Sequence, residues 1–426
     1  MSFSEVSQPD DRTRMSSALH PPLADVVERA VNESATDIHI DMWGYEAVLR
    51  FRVDGAIQDK GRISYEEARR LINQIKVAAN MDLATVLTRQ ESHFRWQRED
   101  RCRDIRATVV ATAPRHEAAH LRLLTLPEQW RDVRNLGLGN REFQIIENVL
   151  RHPRGLVLIA GPTGSGKTTT LYSLTGLTDL RNQIAASIED PAEFDLPYVR
   201  QLEINERRGF TMQEGLRTIL RIDPDIVLVG EIRDAASATI AARAALVGRL
   251  VMATIHARDA ATAIRAMRYL SVPDYVLGCA LRLVIAQDLV RKLCPHCAQR
   301  RPVTGYERKL FESVQMAAPD AVYDPTGCDR CFRHGYRGRT GVFQVVGIDE
   351  ELAHWLSAGQ PVQALRDRIT TLGARSLLSQ GLEKAAKGIT SMQELAPLID
   401  ETLDQPGPIL PTEVEQRHEK RQEATT

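Results

Sequence analysis

The run Gly161-Pro162-Thr163-Gly164-Ser165-Gly166-Lys167-Thr168-Thr169 holds the residue types, at the spacing, that cradle a nucleotide phosphate. Glycines at 161, 164 and 166 let successive backbone N–H groups turn inward around an anion. Lys167 brings a point charge toward the β and γ phosphates of ATP, and the Thr168 hydroxyl is placed to ligate Mg²⁺. The apolar run Gly155-Leu-Val-Leu-Ile-Ala before the loop predicts one buried strand, and the threonine-rich segment after it can start a helix. Strand, glycine loop and helix in that order form the context a phosphate site needs.

Other residue types on the chain could complete such a site. In Asp223-Pro-Asp225-Ile-Val-Leu-Val-Gly230-Glu231, four apolar residues predict a buried strand that ends in an acid, a Walker B type ending. A carboxylate there can hold a Mg²⁺-bound water or orient an attacking one, which makes Glu231 the leading candidate base; capping a helix is its plainer alternative. Glu189, Asp190 and Glu193 are read as three carboxylates on a turn after another strand, with Glu193 the second candidate base and a solvated acidic turn as the alternative. Arg217 and Arg221 lie four apart on a predicted helix, suited to clamping phosphate, to pairing those acids, or to an ordinary surface ion-pair face. His256 follows a predicted strand, where it could sense a γ phosphate or be merely structural.

A second chemistry is written in the cysteines. Cys294-Pro-His-Cys297 and Cys328-Asp-Arg-Cys331 have the spacing for one tetrahedral Zn²⁺ held by four thiolates, a closed and therefore structural set. Disulfides are disfavoured in a reducing cytoplasm. His296 and His334 are alternates for one ligand, and Cys102 and Cys279 read as small apolar fillers.

The elements that must position these groups are legible only coarsely. A chain of 426 residues with 43% hydrophobic content predicts two to four ordinary globular domains. Lys+Arg 55 against Asp+Glu 56 gives a net charge of −1, which offers no chain-wide attraction to nucleic acid or anionic lipid. No apolar run nears the roughly 18 residues of a membrane span, and the start lacks signal-peptide order, so a cytoplasmic protein is expected unless a partner tethers it. The expected order is a flexible arm (1–20), an amino-terminal α/β domain (21–126), a linker (127–141), a nucleotide core with a mostly parallel sheet (142–290), a tetracysteine zinc module (291–346), a carboxy-terminal helical domain (347–403) and a flexible tail (404–426). Within it, Leu23 to Asn32 and Glu142 to Leu150 read as helices, and Asp54-Gly55 as a hairpin turn.

Taken together, these segments resemble the traffic ATPases that drive type II secretion and type IV pilus assembly, the general secretion pathway protein E family. The likeness runs from about residue 35 to 395. Ala35-Thr-Asp37-Ile-His39-Ile looks like the family's amino-terminal element, and Arg50-Phe-Arg52-Val-Asp54-Gly55 like its Arg-x-Arg-x-Asp-Gly motif. Glu189-Asp190-Pro191-Ala-Glu193 resembles the Asp box, Gly215-Leu-Arg217-Thr-Ile-Leu-Arg221 leads into Walker B, and Leu246 to His256 resembles the His box. Gln287-Asp-Leu-Val-Arg-Lys-Leu-Cys294 and Gly335-Tyr-Arg337-Gly-Arg339 follow in family order. The chain departs from the pattern at Arg249, where the first His-box histidine is expected, at Glu91-Ser-His-Phe94, and at Gln344 in place of an acid.

The resemblance implies an α/β chain with a RecA-like P-loop nucleotide core, a small amino-terminal α/β domain, a tetracysteine module and a carboxy-terminal helical segment. It also implies functional roles for His256, Arg217 and Arg221, and a homo-hexamer in which arginines of the first domain, Arg50 and Arg106 by motif position, reach a phosphate bound by a neighbour. Hydrolysis of ATP would then move an inner-membrane platform protein from the cytoplasmic face of the inner membrane, without direct contact to nucleic acid. The first domain begins within about 35 residues of Met1, which leads to the expectation of a pilus, conjugative-pilus or competence system, and the tetracysteine module to that of assembly over retraction. Two other readings stay open at this stage. One is a zinc-ribbon, nucleic-acid-dependent ATPase, against which near-zero net charge and 5% aromatic residues argue; the other is a scaffold that binds ATP without hydrolysing it.

Overall fold

The computed structural model describes residues 19–20, 22–84, 89–98, 101–113, 116–124 and 132–403. The expected arm, except for residues 19–20, the first part of the expected linker and the expected tail lie outside the described residues. Two compact units separate: one runs up to Leu124 and takes in Glu193–Asp195, and the other holds Asp132–Ala192 and the residues from Leu196 on.

In the first unit, period-two alternation of apolar and polar side chains produces six antiparallel strands: β1 (Ala35–Trp43), β2 (Glu46–Val53), β3 (Ala56–Ser64), β4 (Gln90–Arg98), β5 (Arg101–Thr112) and β6 (His116–Leu124). They lie in the order β3-β2-β1-β6-β5-β4. Asp54 and Gly55 both take left-handed φ angles (50° and 85°), the twist-matched turn that joins β2 to β3. On one face, α1 (Leu23–Asn32) and α2 (Tyr65–Ala78) lay Leu23, Val27, Leu71 and Ile75 against Phe51, Ile105 and Leu121. A reciprocal Ser64–Glu67 capping box starts α2. The other face carries the alternate, polar residues, among them His39, Arg50, Arg106 and His120.

The second unit is built on a seven-stranded sheet. Strands β7 (Gly155–Ala160), β8 (Ala185–Glu189), β9 (Val199–Glu203), β10 (Ile226–Val229), β11 (Leu250–Ile255) and β12 (Leu281–Leu293) run parallel to their neighbours, and a later strand pairs antiparallel with β12. That strand is β15 (Tyr336–Gly347), and a two-stranded ribbon of β13 (Ala298–Pro302) and β14 (Ala321–Pro325) lies between them in sequence. The order across the sheet is β15-β12-β7-β11-β10-β8-β9. Every residue of β7, β10 and β11 is buried, because helices cover both faces of a parallel sheet and leave no wet side to alternate toward.

The helices of this unit are α3 (Asn140–Leu150), α4 (Lys167–Thr175), α5 (Met212–Leu220), α6 (Ala235–Leu246), α7 (Ala260–Tyr269), α8 (Asp274–Ala280), α9 (Gly305–Ser313), α10 (Glu350–Ser357), α11 (Val362–Thr371), α12 (Leu377–Ala386) and α13 (Ala396–Leu403). Leu352 and Leu356 of α10 and Leu365 and Ile369 of α11 join one core with Leu156, Val251 and Leu277. A second core gathers Val290, Phe311, Val322 and Val342 with Leu378, Leu382 and Leu395. The boundary expected at residue 290 thus falls inside β12: the cysteine-bearing segment grows out of the nucleotide sheet, since its first and last strands are neighbours in that sheet. Part of the expected linker is folded as well. Val133 and Leu136 are buried in a short 3-10 turn before α3.

Candidate active site

Parallel strands put their carboxyl ends on one edge, so the loops after β7, β8, β10 and β11 all open on the same side of the sheet. After β7 the chain turns through Gly161–Gly166, with Gly164 and Gly166 at φ 83° and 86°, and enters α4 at Lys167. Those two left-handed positions require glycine and fold the backbone into a concave nest for an anion. Lys167 Nζ donates to the carbonyls of Gly161 (2.9 Å) and Pro162 (3.0 Å) across the mouth of the loop. Burial lowers the pKa of this ammonium, against the carboxylates of Glu231 and Asp288, which raise it. Thr168 and Thr169, half-buried, occupy the first turn of α4, and Pro162 and Thr163 are exposed on the loop.

Ser165 is buried, and its Oγ has no hydrogen-bond partner. Its carbonyl accepts from Gln287 Nε2 at 2.7 Å, so the loop is braced by β12. A Cβ on Gly161 would stand 2.4 Å from Ser165 Oγ and 2.5 Å from the Gln287 carbonyl, which explains why only glycine fits there.

Glu231 lies two residues beyond β10, with its side chain 15% exposed. Arg233 Nε donates to its Oε2 at 2.5 Å. His256 Nε2, from the end of β11, abuts Oε1 as an ion-pair contact, yet that oxygen is buried and accepts no aligned hydrogen bond. Glu231 does not cap a helix, because Asp234 takes the cap of α6 and accepts from Ser237 N–H at 2.9 Å. The chain around Glu231 is fixed by Thr254, whose Oγ1 donates to the Gly230 carbonyl at 2.5 Å and whose carbonyl accepts from Ile232 N–H at 2.9 Å.

The three acids of the Asp-box segment part company. Glu189 is the buried last residue of β8, not a turn residue, and its carboxylate is consumed by Tyr172 Oη, Ser187 Oγ (2.6 Å) and Gln201 Nε2 (3.0 Å). Strand β9 pairs beside β8 and covers it, which the sequence pattern did not reveal. Asp190 accepts from Arg233 Nη1 at 3.4 Å. Glu193, half-buried, falls in the segment that groups with the first unit.

Arg217 sits on α5 and pairs with Glu214 at 3.8 Å, whereas Arg221 is the exposed C-cap of that helix and not part of it. Arg249 Nη2 lies 3.8 Å from Asp223, and Gln344 Oε1 accepts from Ala260 N–H at 2.9 Å, tying β15 to the start of α7. Cys102 and Cys279 are exposed, which corrects their reading as buried fillers. Cys102 points outward on the alternating strand β5, and Cys279 lies on the outer side of α8 between buried Gly278 and Ala280.

The sulfurs of Cys294, Cys297, Cys328 and Cys331 all lie within 4.8 Å of one another. Measured edges are 3.9 Å (294 to 328), 3.7 Å (297 to 331) and 3.8 Å (328 to 331). A tetrahedron of thiolates about 2.3 Å from a central Zn²⁺ has edges of about 3.8 Å, so the donor set fits that ion. Cys331 Sγ also accepts from the N–H groups of Cys328 and Gly335, both at 3.2 Å; burial raises its pKa, but these bonds outweigh it and the net shift is downward. His296 stands off the cluster, against the Arg330 guanidinium at 3.0 Å.

In the first unit, Asp37 organises the polar face. His120 Nε2 (2.9 Å) and Arg122 Nε (3.1 Å) meet its Oδ1, and the Thr36 hydroxyl donates to Oδ2 at 2.8 Å. Burial works against ionisation, but those partners together hold the carboxyl well below its usual range. Arg50 donates to Asp41 at 2.5 Å, and Arg106 lies opposite Arg122 on β6.

A parallel sheet with a P-loop after a central strand, β7, and an acid after β10, one strand further across the sheet beyond β11, defines a RecA-like P-loop ATPase. Type II/IV secretion system proteins, as a family, match residues 13–397, and the chain belongs to that family. It is 38% identical over 370 residues to type II secretion system protein E of Aeromonas hydrophila, covering 87% of this chain and 73% of that protein. It is 36% identical over 368 residues to type II secretion system ATPase E of Vibrio cholerae, covering 86% and 72%. Among solved structures, the fold is similar to the Legionella pneumophila ATPase DotB (TM-score 0.67, 22% identity, 92% of this chain and 98% of that one). It is also similar to the pilus retraction motor PilT with bound ADP (TM-score 0.58, 22% identity, 90% and 97%).

Proposed function

We propose that this chain is the ATPase motor of a type II secretion or type IV pilus assembly machine. It works as a homo-hexamer at the cytoplasmic face of the inner membrane and passes its movement to an inner-membrane platform protein. The observation that carries the reading is the pairing of a phosphate nest at Gly161–Lys167 with a carboxylate, Glu231, of which Arg233 pins one oxygen while the other lies against His256 and accepts no hydrogen bond. No helix among the described residues is long and apolar enough to cross a membrane, which suits a motor held to its machine by partners.

The N–H groups of the loop and Lys167 hold the β and γ phosphates, and ATP entry draws the ammonium off the carbonyls it now bonds. Mg²⁺, when bound, would supply neutralisation of developing phosphate charge, and the Thr168 hydroxyl would be the group that holds it. Glu231 Oε1 takes a proton from the attacking water while Arg233 fixes the carboxylate, and Glu193 is the second candidate for that role. His256, against the same oxygen, senses whether the γ phosphate is present. Arg217 and Arg221, and Arg50 and Arg106 of a neighbouring copy, serve as phosphate clamps. The four cysteines hold a structural Zn²⁺ that closes the carboxy-terminal module.

The test is phosphate release per chain across a protein concentration series, with ring size measured on the same samples and Lys167→Ala alongside. Release that rises as rings form and vanishes in the variant supports the motor. Rings with nucleotide bound and no release support the scaffold, and stimulation by single-stranded DNA would revive the nucleic-acid-dependent enzyme.

A further inference from the structure

The geometry points to Gln287 as a positioning residue for nucleotide binding: from β12 its amide sets the peptide that presents the Gly166 N–H to a phosphate. Gln287 is 1% exposed and donates from Nε2 to the Ser165 carbonyl at 2.7 Å. In a trans peptide the C=O and the following N–H point in opposite directions. Holding the Ser165 carbonyl toward β12 therefore turns the Gly166 N–H away from the strand.

Three further observations tie this residue to the loop and not simply to the core. Strand β12 pairs with β7 up to Ala286 opposite Ala160, so Gln287 is the first residue beyond the paired ladder, level with the first glycine of the loop. Both Gln287 Oε1 and the neighbouring Ser165 Oγ are buried with no hydrogen-bond partner, a costly arrangement for a residue that only fills space. The next residue, Asp288, acts electrostatically on Lys167, so consecutive positions of β12 address the backbone and the charge of one loop. A glutamate could not replace Gln287 while ionised, because a carboxylate has no proton to give the carbonyl.

The inference rests on the reading of the loop as a nucleotide site, and the experiment separates the two. ADP and ATP affinities are measured by calorimetry on the full chain for wild type, Lys167→Ala, Gln287→Met and Gln287→Glu, with steady-state phosphate release. Gln287→Met keeps the length and apolar stem but not the donor. It is expected to weaken ADP and ATP by the same factor, roughly three- to tenfold for one net hydrogen bond, and to raise KM by that factor with kcat within about twofold. Gln287→Glu is expected to bind more weakly than Gln287→Met at pH 8 and to close the gap to wild type as the pH falls and the carboxyl regains a proton. Gln287→Met with wild-type affinity, or a loss confined to kcat and thermal stability, overturns the assignment. A Gln287→Glu deficit that is the same at pH 8 and pH 5.5 also overturns it, which keeps the test intact if Gln287→Met does not fold. Equal affinity in wild type and Lys167→Ala would instead sink the nucleotide reading itself.

Discussion

Arg233 holds one oxygen of Glu231, while the other lies against His256 and accepts no hydrogen bond. Its Nε donates to Oε2 at 2.5 Å while its Nη1 reaches Asp190 at 3.4 Å, so the guanidinium spans the acids that follow β10 and β8. A base works best when its orientation is settled before the substrate arrives. Glu231→Gln keeps the shape and removes the proton acceptor. Single-turnover phosphate release is expected to fall by about 10²- to 10⁴-fold while ATP affinity changes little. Release within tenfold of wild type would move the base to Glu193.

Gly161→Ala is expected to damage the loop without touching its charges. The added methyl would stand 2.4 Å from Ser165 Oγ and 2.5 Å from the Gln287 carbonyl, and a backbone oxygen cannot step aside as a flexible side chain can. Overpacking of this kind costs about 1–3 kcal/mol. Chemical denaturation should show the loss and calorimetry a weakened ADP site; a variant as stable as wild type would mean the loop relaxes freely.

Metal analysis should find one zinc per chain, and Cys297→Ser should lose it. Phe311 of α9 and Val322 of β14 share a core with α12, and removal of zinc by a chelator is expected to increase proteolysis between residues 294 and 335 while the P-loop half stays protected. Zinc retained in Cys297→Ser would transfer a ligand role to His296 or His334.

Glu307 gives the fold an acid limit. Its carboxyl is held down to about 2 from an ordinary 4.5, chiefly by the Arg301 guanidinium at 2.6 and 2.7 Å, against burial, with Thr304 assisting. A depressed carboxyl pKa contributes stability that is complete above pH 4.5 and is lost as the pH falls toward 2. The contribution is on the order of 3 kcal/mol at neutral pH. Denaturation of Glu307→Gln against wild type should show that difference at pH 7 and its disappearance near pH 2; parallel curves would show that the pair is worth nothing.

Arg375→Met isolates a buried acid. Arg375 forks onto Glu142 at 3.0 and 2.9 Å, joining α3 to the turn before α12, and Glu142 is 3% exposed. An uncompensated buried carboxylate costs about 3–5 kcal/mol, so thermal unfolding should come markedly earlier, and the double variant with Glu142→Gln should recover much of the loss.

The parts that were legible in the sequence are those whose chemistry lies on one contiguous run. The strand, loop and helix at 155–175, the acid after the Ile226–Val229 strand and the paired cysteines each declare their environment within a few residues. The helix at 23–32 follows from spacing alone, as does that read over 142–150, which in the structure begins two residues earlier at Asn140. What stayed hidden depends on partners far away in the chain. Gln287 sits 122 residues from the carbonyl it holds, and Glu189 reads as an exposed acid until β9 and Tyr172 enclose it. The join of β12 to β15 was equally out of reach, because antiparallel pairing across a long insertion leaves no periodic trace in either strand.

The placing of β7 between β11 and β12 bears on how the protein comes off the ribosome. The strand Gly155–Ala160 is apolar throughout and emerges early, yet its two neighbours begin only at Leu250 and Leu281. For much of translation it is an unpaired hydrophobic edge, the kind of segment that sticks to other nascent chains. A messenger truncated before codon 281 would yield a product that contains every residue of the phosphate loop and still leaves one side of its strand open to aggregation.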